Sequence, residues 1–93
     1  MTRYLKVRWN HDLADEPIWL YHEVSEGLET RKVEVYADGR MDFADAEAST
    51  GSTRLGDSLM PTIEELADDP EFTPADIDRA EFEDIWSAAT KTR

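Results

Sequence analysis

The sequence predicts an α+β domain: a four-stranded antiparallel sheet, arranged as a meander, with one face covered by C-terminal helices. Apolar and polar residues alternate through the first half of the chain, which is the period of half-buried strands. Near the end, Phe82, Ile85, Trp86 and Ala89 recur at helical spacing instead. Strands therefore come first and helices second, which is typical of the α+β class.

The four predicted strands are separated by turn and loop residues. Polar residues 10–16 form a loop after the first strand, and Glu26-Gly27 supplies a turn after the second. The dipeptide Asp38-Gly39 favours a type I′ hairpin turn between the third and the fourth. The strands are predicted over residues 4–9, 17–25, 29–37 and 40–44, and their inward residues are Leu5, Val7, Trp9, Ile18, Leu20, Val24, Val33, Val35, Met41 and Phe43.

The second half of the chain predicts a surface loop followed by helices. Small and polar residues dominate 46–60. Thr62 and Glu65 have the spacing of a capping box, so a short helix is expected to begin there and to end before Pro70. Thr73-Pro74 has the form of a second helix start, with proline at the first helical position.

The last predicted helix runs from Arg79 to Thr90. Asp78 and Glu81 have the spacing of a further capping box at its start. Because the four apolar residues named above form a single stripe along this helix, we expect the stripe to close over the inner face of the sheet.

Length and composition predict one folded domain, residues 1–93, with a β-sheet half (1–45), a loop (46–60) and an acidic helical half (61–93). A hydrophobic content of 40% is too high for a disordered acidic tail. Cysteine is absent, which excludes disulfides and thiolate metal sites and is compatible with the predicted cytoplasmic location. No segment suits a signal peptide or a membrane span, and we expect neither membrane contact nor a cofactor.

Charge is segregated along the chain. Eleven acidic side chains lie between Asp57 and Asp84, where Arg79 is the only base, so the net charge of −12 is essentially a property of the last third. One interpretation is a solvated face whose carboxylates favour helix N-termini. Because the capping boxes use only a few of these acids, the other is a surface that attracts a basic protein partner. The residues predicted for that surface are Glu64, Glu65, Asp68, Asp69 and Glu71.

The face of the sheet away from the predicted helices is the alternative site. Its aromatic and basic residues suit base stacking and phosphate contacts in single-stranded nucleic acid, although the acidic field disfavours that partner. Glu23, Glu34 and Asp42 share the face, so cross-strand ion pairing also explains it, as does a protein interface or a homodimer. The aromatic and basic residues are Tyr4, Lys6, Arg8, Trp19, Tyr21, Lys32, Tyr36 and Arg40, and the alternative site comprises Tyr4, Arg8, Trp19, Tyr21 and Tyr36.

Catalytic or metal-binding interpretations depend on two histidines. His11 lies in the acidic loop and His22 on the next strand, but their spacing matches no metal signature. Residues 49–54 lack the lysine and the glycine spacing of a phosphate loop. The chain is therefore predicted not to be an enzyme, and an enzyme built around both histidines is the weakest hypothesis.

Four segments together resemble a family of small bacterial domains of unknown function. They are residues 3–9 (RYLKVRW), 31–40 (RKVEVYADGR), 71–74 (EFTP) and 81–83 (EFE) with Trp86. The resemblance spans nearly the whole chain and implies a bacterial, stand-alone α+β protein, but it brings no activity with it. In size and acidity alone, the chain is also similar to immunity proteins that neutralise bacterial toxins.

These observations predict an acidic protein-binding module. Its most concrete form is an immunity-type inhibitor that occludes a basic surface of a toxin or nuclease, with carboxylates steering the encounter. The alternative is a sheet domain that binds a ligand or nucleic acid through its aromatic face. Steep salt dependence of binding would favour the first of these, and loss of binding on Trp19 or Tyr21 replacement would favour the second.

Overall fold

The computed structural model describes residues 1–91 and confirms the α+β class with a helix packed on an antiparallel sheet. Thr92 and Arg93, at the end of the predicted helical half, lie outside the described residues. Residues 1–91 contain five strands rather than the predicted four. The elements are β1 (Thr2–Trp9), β2 (Trp19–Ser25), β3 (Leu28–Val35), β4 (Met41–Ala44), α1 (Ile63–Ala67), β5 (Phe72–Ile77) and α2 (Arg79–Thr90).

The strands lie in the order β4-β3-β2-β1-β5, and every neighbouring pair is antiparallel. The first four form the predicted meander, with ends that differ from the predicted ones by at most two residues. The prediction of a helix start at Thr73-Pro74 is wrong, because this dipeptide lies inside β5. Proline is tolerated there because β5 is an edge strand, on which a missing N–H can face solvent.

The outer edge of β5 offers few free hydrogen-bond donors. The Asn10 N–H donates to the Glu71 carbonyl at 2.7 Å, and the Phe72 N–H turns away from β1 to the Asp69 carbonyl at 2.9 Å. Because antiparallel ladders alternate inward and outward groups, the backbone of Pro74 also faces outward, where proline has no N–H to present. This edge is therefore poorly suited to pairing with another strand.

A bulge between β2 and β3 decides which side chains share a face. Ser25 pairs with Leu28 and Val24 with Glu29, but Glu23 then pairs with Arg31, which leaves Thr30 as an extra residue. A one-residue shift sends every later side chain of a strand to the opposite face. Val33 consequently lies opposite Tyr21 rather than Leu20.

Both faces of the sheet are covered, so the prediction of a single covered face is wrong. One face, called here the α1 face, packs Leu5, Val7 and Val24 against α1 and β5. The α2 face packs Val33 and Phe43 against α2. The prediction placed all ten inward residues on one face, and the bulge is the physical reason that β3 and β4 contribute theirs to the other. The residues packed on the α1 face include Met60, Ile63, Leu66 and Phe72, and those on the α2 face include Ile85, Trp86 and Ala89.

The predicted turns and caps are largely present. The hairpin at Asp38-Gly39 forms, but only Gly39 has a positive φ, of 90°, so its turn is not type I′. Positive φ angles at both central residues occur instead at Glu26-Gly27. The capping box at the start of α1 is complete. At the start of α2 the Asp78 carboxylate accepts the Glu81 N–H at 2.8 Å, and the Glu81 carboxylate bonds Lys6 instead of closing the box.

Candidate partner-binding surfaces

The acidic edge is the surface formed by α1 and the turn that leads from it into β5. Ile63 and Leu66 pack inward against the α1-face core, so the polar side of this five-residue helix faces solvent. No Lys, Arg or His occurs between Asp57 and Asp78. The structure brings all five predicted acids to this one edge, and each of them is exposed: Glu64, Glu65, Asp68, Asp69 and Glu71.

Three acids of the acidic edge have structural partners. The Glu65 carboxylate accepts the Thr62 N–H at 2.9 Å, and this bond holds the pKa of Glu65 below its ordinary value. Asp69 accepts the N–H of Glu71 at 2.9 Å and so fixes the turn before β5. The Glu71 carboxylate accepts the indole N–H of Trp9 at 3.1 Å. Part of the acidity therefore stabilises the local chain.

The other two acids, Glu64 and Asp68, have no side-chain hydrogen bond or ion pair within residues 1–91. They are four residues apart, so they project from the same side of α1. Like charges at this spacing destabilise a helix by about 0.2–0.5 kcal/mol. Their repulsion would be relieved by a cation from outside the chain, which makes this pair the centre of the acidic edge.

The loop between β1 and β2 adds three further exposed acids near the same end of the sheet: Asp12, Asp15 and Glu16. The loop is tied to the acidic edge at its start, since the Asn10 side-chain amide donates to the Thr73 hydroxyl at 3.0 Å. His11 holds the loop closed, with its Nδ1 accepting the Leu13 N–H at 2.9 Å and its Nε2 bonding the Pro17 carbonyl at 2.7 Å. His11 therefore has a structural role in this loop.

The alternative aromatic face does not exist as one open surface. Tyr4 lies under α2, with its ring 5.4 Å from that of Phe82. Tyr36 is buried beneath the guanidinium of Arg40, and Lys32 lies on the opposite face beside Glu34. The prediction that these residues all point away from the helices is therefore wrong, because α2 crosses the face that carries Tyr4 and Tyr21.

A smaller aromatic and basic surface remains beside α2, and we call it the Trp19 corner. The Trp19 ring is flanked by the Arg8 guanidinium at 5.5 Å and the Lys6 ammonium at 5.6 Å, and its centroid is 6.4 Å from that of Tyr21. Lys6 is paired with Glu81 at 3.0 Å. Arg8 is exposed and has no carboxylate within ion-pair distance in the described part of the chain.

The second histidine is part of a buried pair. His22 and Glu29 are 4% and 8% exposed and are hydrogen bonded to each other through Nδ1 and Oε2. Glu29 also accepts the Gly56 N–H at 2.8 Å. Burial by itself raises the pKa of Glu29, but the bond to His22 and the Gly56 N–H outweigh it and hold the pKa below its ordinary value. The His22–Glu29 pair connects the loop before α1 to the sheet. Residues 1–91 contain no cluster of three or more side chains that could hold a metal ion.

Sequence reasoning missed the main polar link between the sheet and α2. The Arg31 guanidinium bonds Glu23 at 2.6 Å and Glu83 at 2.7 Å, and it lies 4.9 Å from the ring centre of Phe82 and 5.0 Å from that of Trp86. The bonds to Glu23 and Glu83 raise the pKa of Arg31. No local motif marks this residue, because its partners lie on β2 and α2.

Neither α1 nor α2, the helices of residues 1–91, is long and apolar enough to cross a membrane.

No curated protein and no solved structure matches the chain. The model of one protein family, described as a domain of unknown function, DUF6881, matches residues 3–91. This match covers nearly the whole sequence and agrees with the resemblance found in its strands and its closing helix. The chain therefore belongs to the DUF6881 family.

Proposed function

We propose that this protein is an acidic protein-binding module, most concretely an immunity-type inhibitor that occludes a basic surface of a toxin or nuclease. The observation that supports this proposal is the pair formed by Glu64 on α1 and Asp68 at its C-cap, both exposed and without side-chain partners among residues 1–91. A basic surface would supply the cations that this edge lacks. The protein would act by steric and electrostatic occlusion in the cytoplasm, without a cofactor or a catalytic step of its own.

Electrostatics would govern the association rate. The net charge of −12, to which the five exposed acids of this edge contribute, steers a cationic partner and repels anionic competitors. Ions at about 0.15 M screen such exposed charges beyond roughly 8 Å, so binding should weaken steeply as salt rises. The edge is held in place before binding, since Ile63 and Leu66 anchor α1 and the capping box closes its first turn.

The test is a capture experiment from the host lysate at low salt, with the tagged protein as bait and mass spectrometry of what a salt step releases. The informative variant is the double substitution Glu64→Lys with Asp68→Lys. Its matched control is Glu47→Lys with Asp84→Lys, two exposed acids outside the acidic edge that change the net charge by the same amount. The proposal predicts one basic protein, released by salt, that is lost from the first variant and retained by the control.

Two results would count against this function. If no basic protein is released, or if both double variants retain it equally, the acidic edge is not the interface. If nucleic acid is recovered instead, the second candidate function gains support. That candidate is ligand or nucleic-acid binding at the Trp19 corner, and it is favoured by exposed Arg8 lying against Trp19 without a carboxylate partner in residues 1–91. Trp19→Ala would then abolish recovery.

A further inference from the structure

A continuous row of residues crosses the α2 face at the end of the sheet that carries Trp19, and we call it the open row. From β5 to β4 its members are Thr73, Arg8, Trp19, Val35 and Met41. Each lies directly opposite the next on the neighbouring strand, and directly opposite residues share a face of the sheet. None of the five is buried, so the row is accessible along its length.

The open row borders α2, which covers the neighbouring row of the same face. That covered row contains Val33 and Phe43, both buried. Ala88 of α2 and Met41 of the open row line one cavity, so α2 forms a wall of a groove whose floor is the open row. The cavity lies at the β4 end of this groove, and its volume of about 320 Å³ falls at the lower end of the range of small-molecule sites.

The β4 end of the groove is apolar. The side chains of Met41 and Ala88 line the cavity there, together with residues of the β3–β4 hairpin. The Arg40 guanidinium stacks on Tyr36, on the α1 face, and so does not bring its charge to the floor of the groove. This end therefore suits an uncharged, apolar part of a ligand.

The β1 end of the groove is cationic. Arg8 is exposed, and its guanidinium lies 5.5 Å from the centre of the Trp19 ring. It forms no ion pair with any residue from 1 to 91, although acids outnumber bases by twelve in the whole chain. Neighbouring strands are about 4.8 Å apart, so Arg8 on β1 and Met41 on β4, three spacings away, are separated by roughly 14 Å.

We propose that this groove binds a medium-chain fatty acid. The carboxylate contacts Arg8, whose guanidinium can donate two parallel hydrogen bonds to it, and the alkyl chain follows Trp19 and Val35 to the cavity beside Met41. The extended chain of decanoate is comparable in length to this path. The inference rests on the second candidate function, since it names the ligand class of the Trp19 corner, and it uses no residue of the acidic edge.

The test is a titration of the ¹⁵N-labelled protein with sodium decanoate, followed by the indole N–H of Trp19 and the backbone N–H groups of Val35, Met41 and Ala88. We expect saturable shifts with a Kd of about 0.1 mM, an ordinary free energy per atom for a ligand of this size. Octanoate, which is two CH₂ groups shorter, should bind about fourfold more weakly, since an open groove covers only one side of the chain. Absence of saturable shifts at about 2 mM decanoate, some twentyfold above the expected Kd, overturns the proposal.

The carboxylate contact is tested with 1-octanol, which differs from octanoate only at its head group. We expect it to bind at least about fivefold more weakly, because it cannot form a charge-assisted contact. Arg8→Gln should weaken octanoate binding by a similar factor and leave 1-octanol binding unchanged. Arg54→Gln is the matched control, because Arg54 is also exposed and bonds only the carbonyl of Thr53 within residues 1–91. Octanoate binding that is unchanged in Arg8→Gln overturns the assignment.

The position of the chain is tested on α2. Ala88→Asp places a carboxylate beside the cavity and should weaken decanoate binding by at least about tenfold, because the apolar chain end would meet a charge. Ser87→Asp, at the next exposed position of the same helix, adds the same charge outside the cavity lining and should leave binding unchanged. Equal binding by the two variants overturns the placement of the chain in the groove.

A titration with a thymidine hexanucleotide separates this proposal from the second candidate function. Shifts of the Trp19 indole with the oligonucleotide and none with decanoate would support nucleic-acid binding at the Trp19 corner and overturn the fatty-acid proposal. Shifts with neither would overturn both. Saturable shifts with decanoate support the proposal whether or not the oligonucleotide binds.

Discussion

Replacing Arg31 by methionine should destabilise the protein substantially, because it leaves two carboxylates without their shared cation. Methionine keeps much of the volume and length of arginine but cannot bond Glu23 or Glu83. The side chains of Arg31, Glu23 and Glu83 are 19%, 15% and 37% exposed, so the first two are largely withdrawn from water. The substitution also removes the cation from the rings of Phe82 and Trp86.

The magnitude follows from burial. Breaking a fully buried ion pair by removing one partner costs about 3–5 kcal/mol, whereas exposed pairs contribute about 0–1 kcal/mol. Glu23 belongs near the first limit and Glu83, more than a third exposed, near the second, so we expect a loss of about 2–3 kcal/mol. Since a domain of this size has a free energy of unfolding of roughly 5–14 kcal/mol, the loss is a large fraction of the total.

Urea unfolding followed by tryptophan fluorescence measures this loss. With an m value of about 1–2 kcal/mol per molar urea, the midpoint should fall by roughly 1–3 M. Arg54→Met is the control and should leave the midpoint nearly unchanged, because the Arg54 side chain is exposed and bonds only the Thr53 carbonyl among residues 1–91. The double variant Arg31→Met with Glu23→Gln should recover part of the loss, since it removes the uncompensated charge. A midpoint shift for Arg31→Met no larger than that of the control would refute this reasoning.

Three further predictions concern pH, the sheet edge and the acidic edge. Glu23 and Glu29 have pKa values below their usual 4.5. The stability that they contribute is therefore complete above about pH 4.5 and is lost as the pH falls through their lowered pKa values. The melting temperature, measured between about pH 6 and 3, should fall accordingly. Pro74→Val should restore an outward N–H to the edge of β5. Light scattering should then detect more aggregation of the variant than of the original protein, without a change in the free energy of unfolding. Glu64→Gln with Asp68→Asn should leave the free energy of unfolding unchanged or raise it by about 0.5 kcal/mol, as measured in urea, while abolishing partner capture.

The fold was predictable wherever a local signal decided it. The capping box before α1, the limits of α2 and the β3–β4 hairpin all follow from residues that are neighbours in sequence. Which side chains of neighbouring strands share a face was not predictable. Alternation shows which residues of one strand lie on the same face, but it does not determine how that strand pairs with the next. Thr30 illustrates the point: its hydroxyl bonds the Glu23 carbonyl and carboxylate at 3.1 and 2.8 Å, and those bonds mark a bulge that no local pattern indicates.

The fifth strand was missed because its sequence fits two structures equally well. A threonine followed by proline suits the first turn of a helix, and it also suits an edge strand whose outer N–H is unused. The choice depends on β1, since Val7 and Trp9 lie opposite Pro74 and Phe72 and contribute apolar surface that only an extended segment covers along its length. Tertiary pairing thus overrides the local preference.

The candidate sites divide in the same way. The acidic edge was predictable because its residues are close in sequence and lie on a short capped helix and in the turn that follows it. The covering of Tyr4 by α2 was not, because it depends on which face of the sheet α2 packs against.

The ion pairs found within residues 1–91 lie outside the acidic edge. The ion pairs between side chains of the sheet and of α2 link Lys6 to Glu81, Lys32 to Glu34, and Arg31 to Glu23 and Glu83. None of these ion pairs includes an acid of the acidic edge. Helix capping explains Glu65, and turn or indole contacts explain two more. Glu64 lies in the first turn of α1, where a carboxylate favours the helix N-terminus, but Asp68 caps the opposite end and has no such role within residues 1–91. Because Asp68 lies at the C-terminal end of α1, where a carboxylate is unfavourable, and also repels Glu64, we propose that a cationic surface from outside the chain meets this pair.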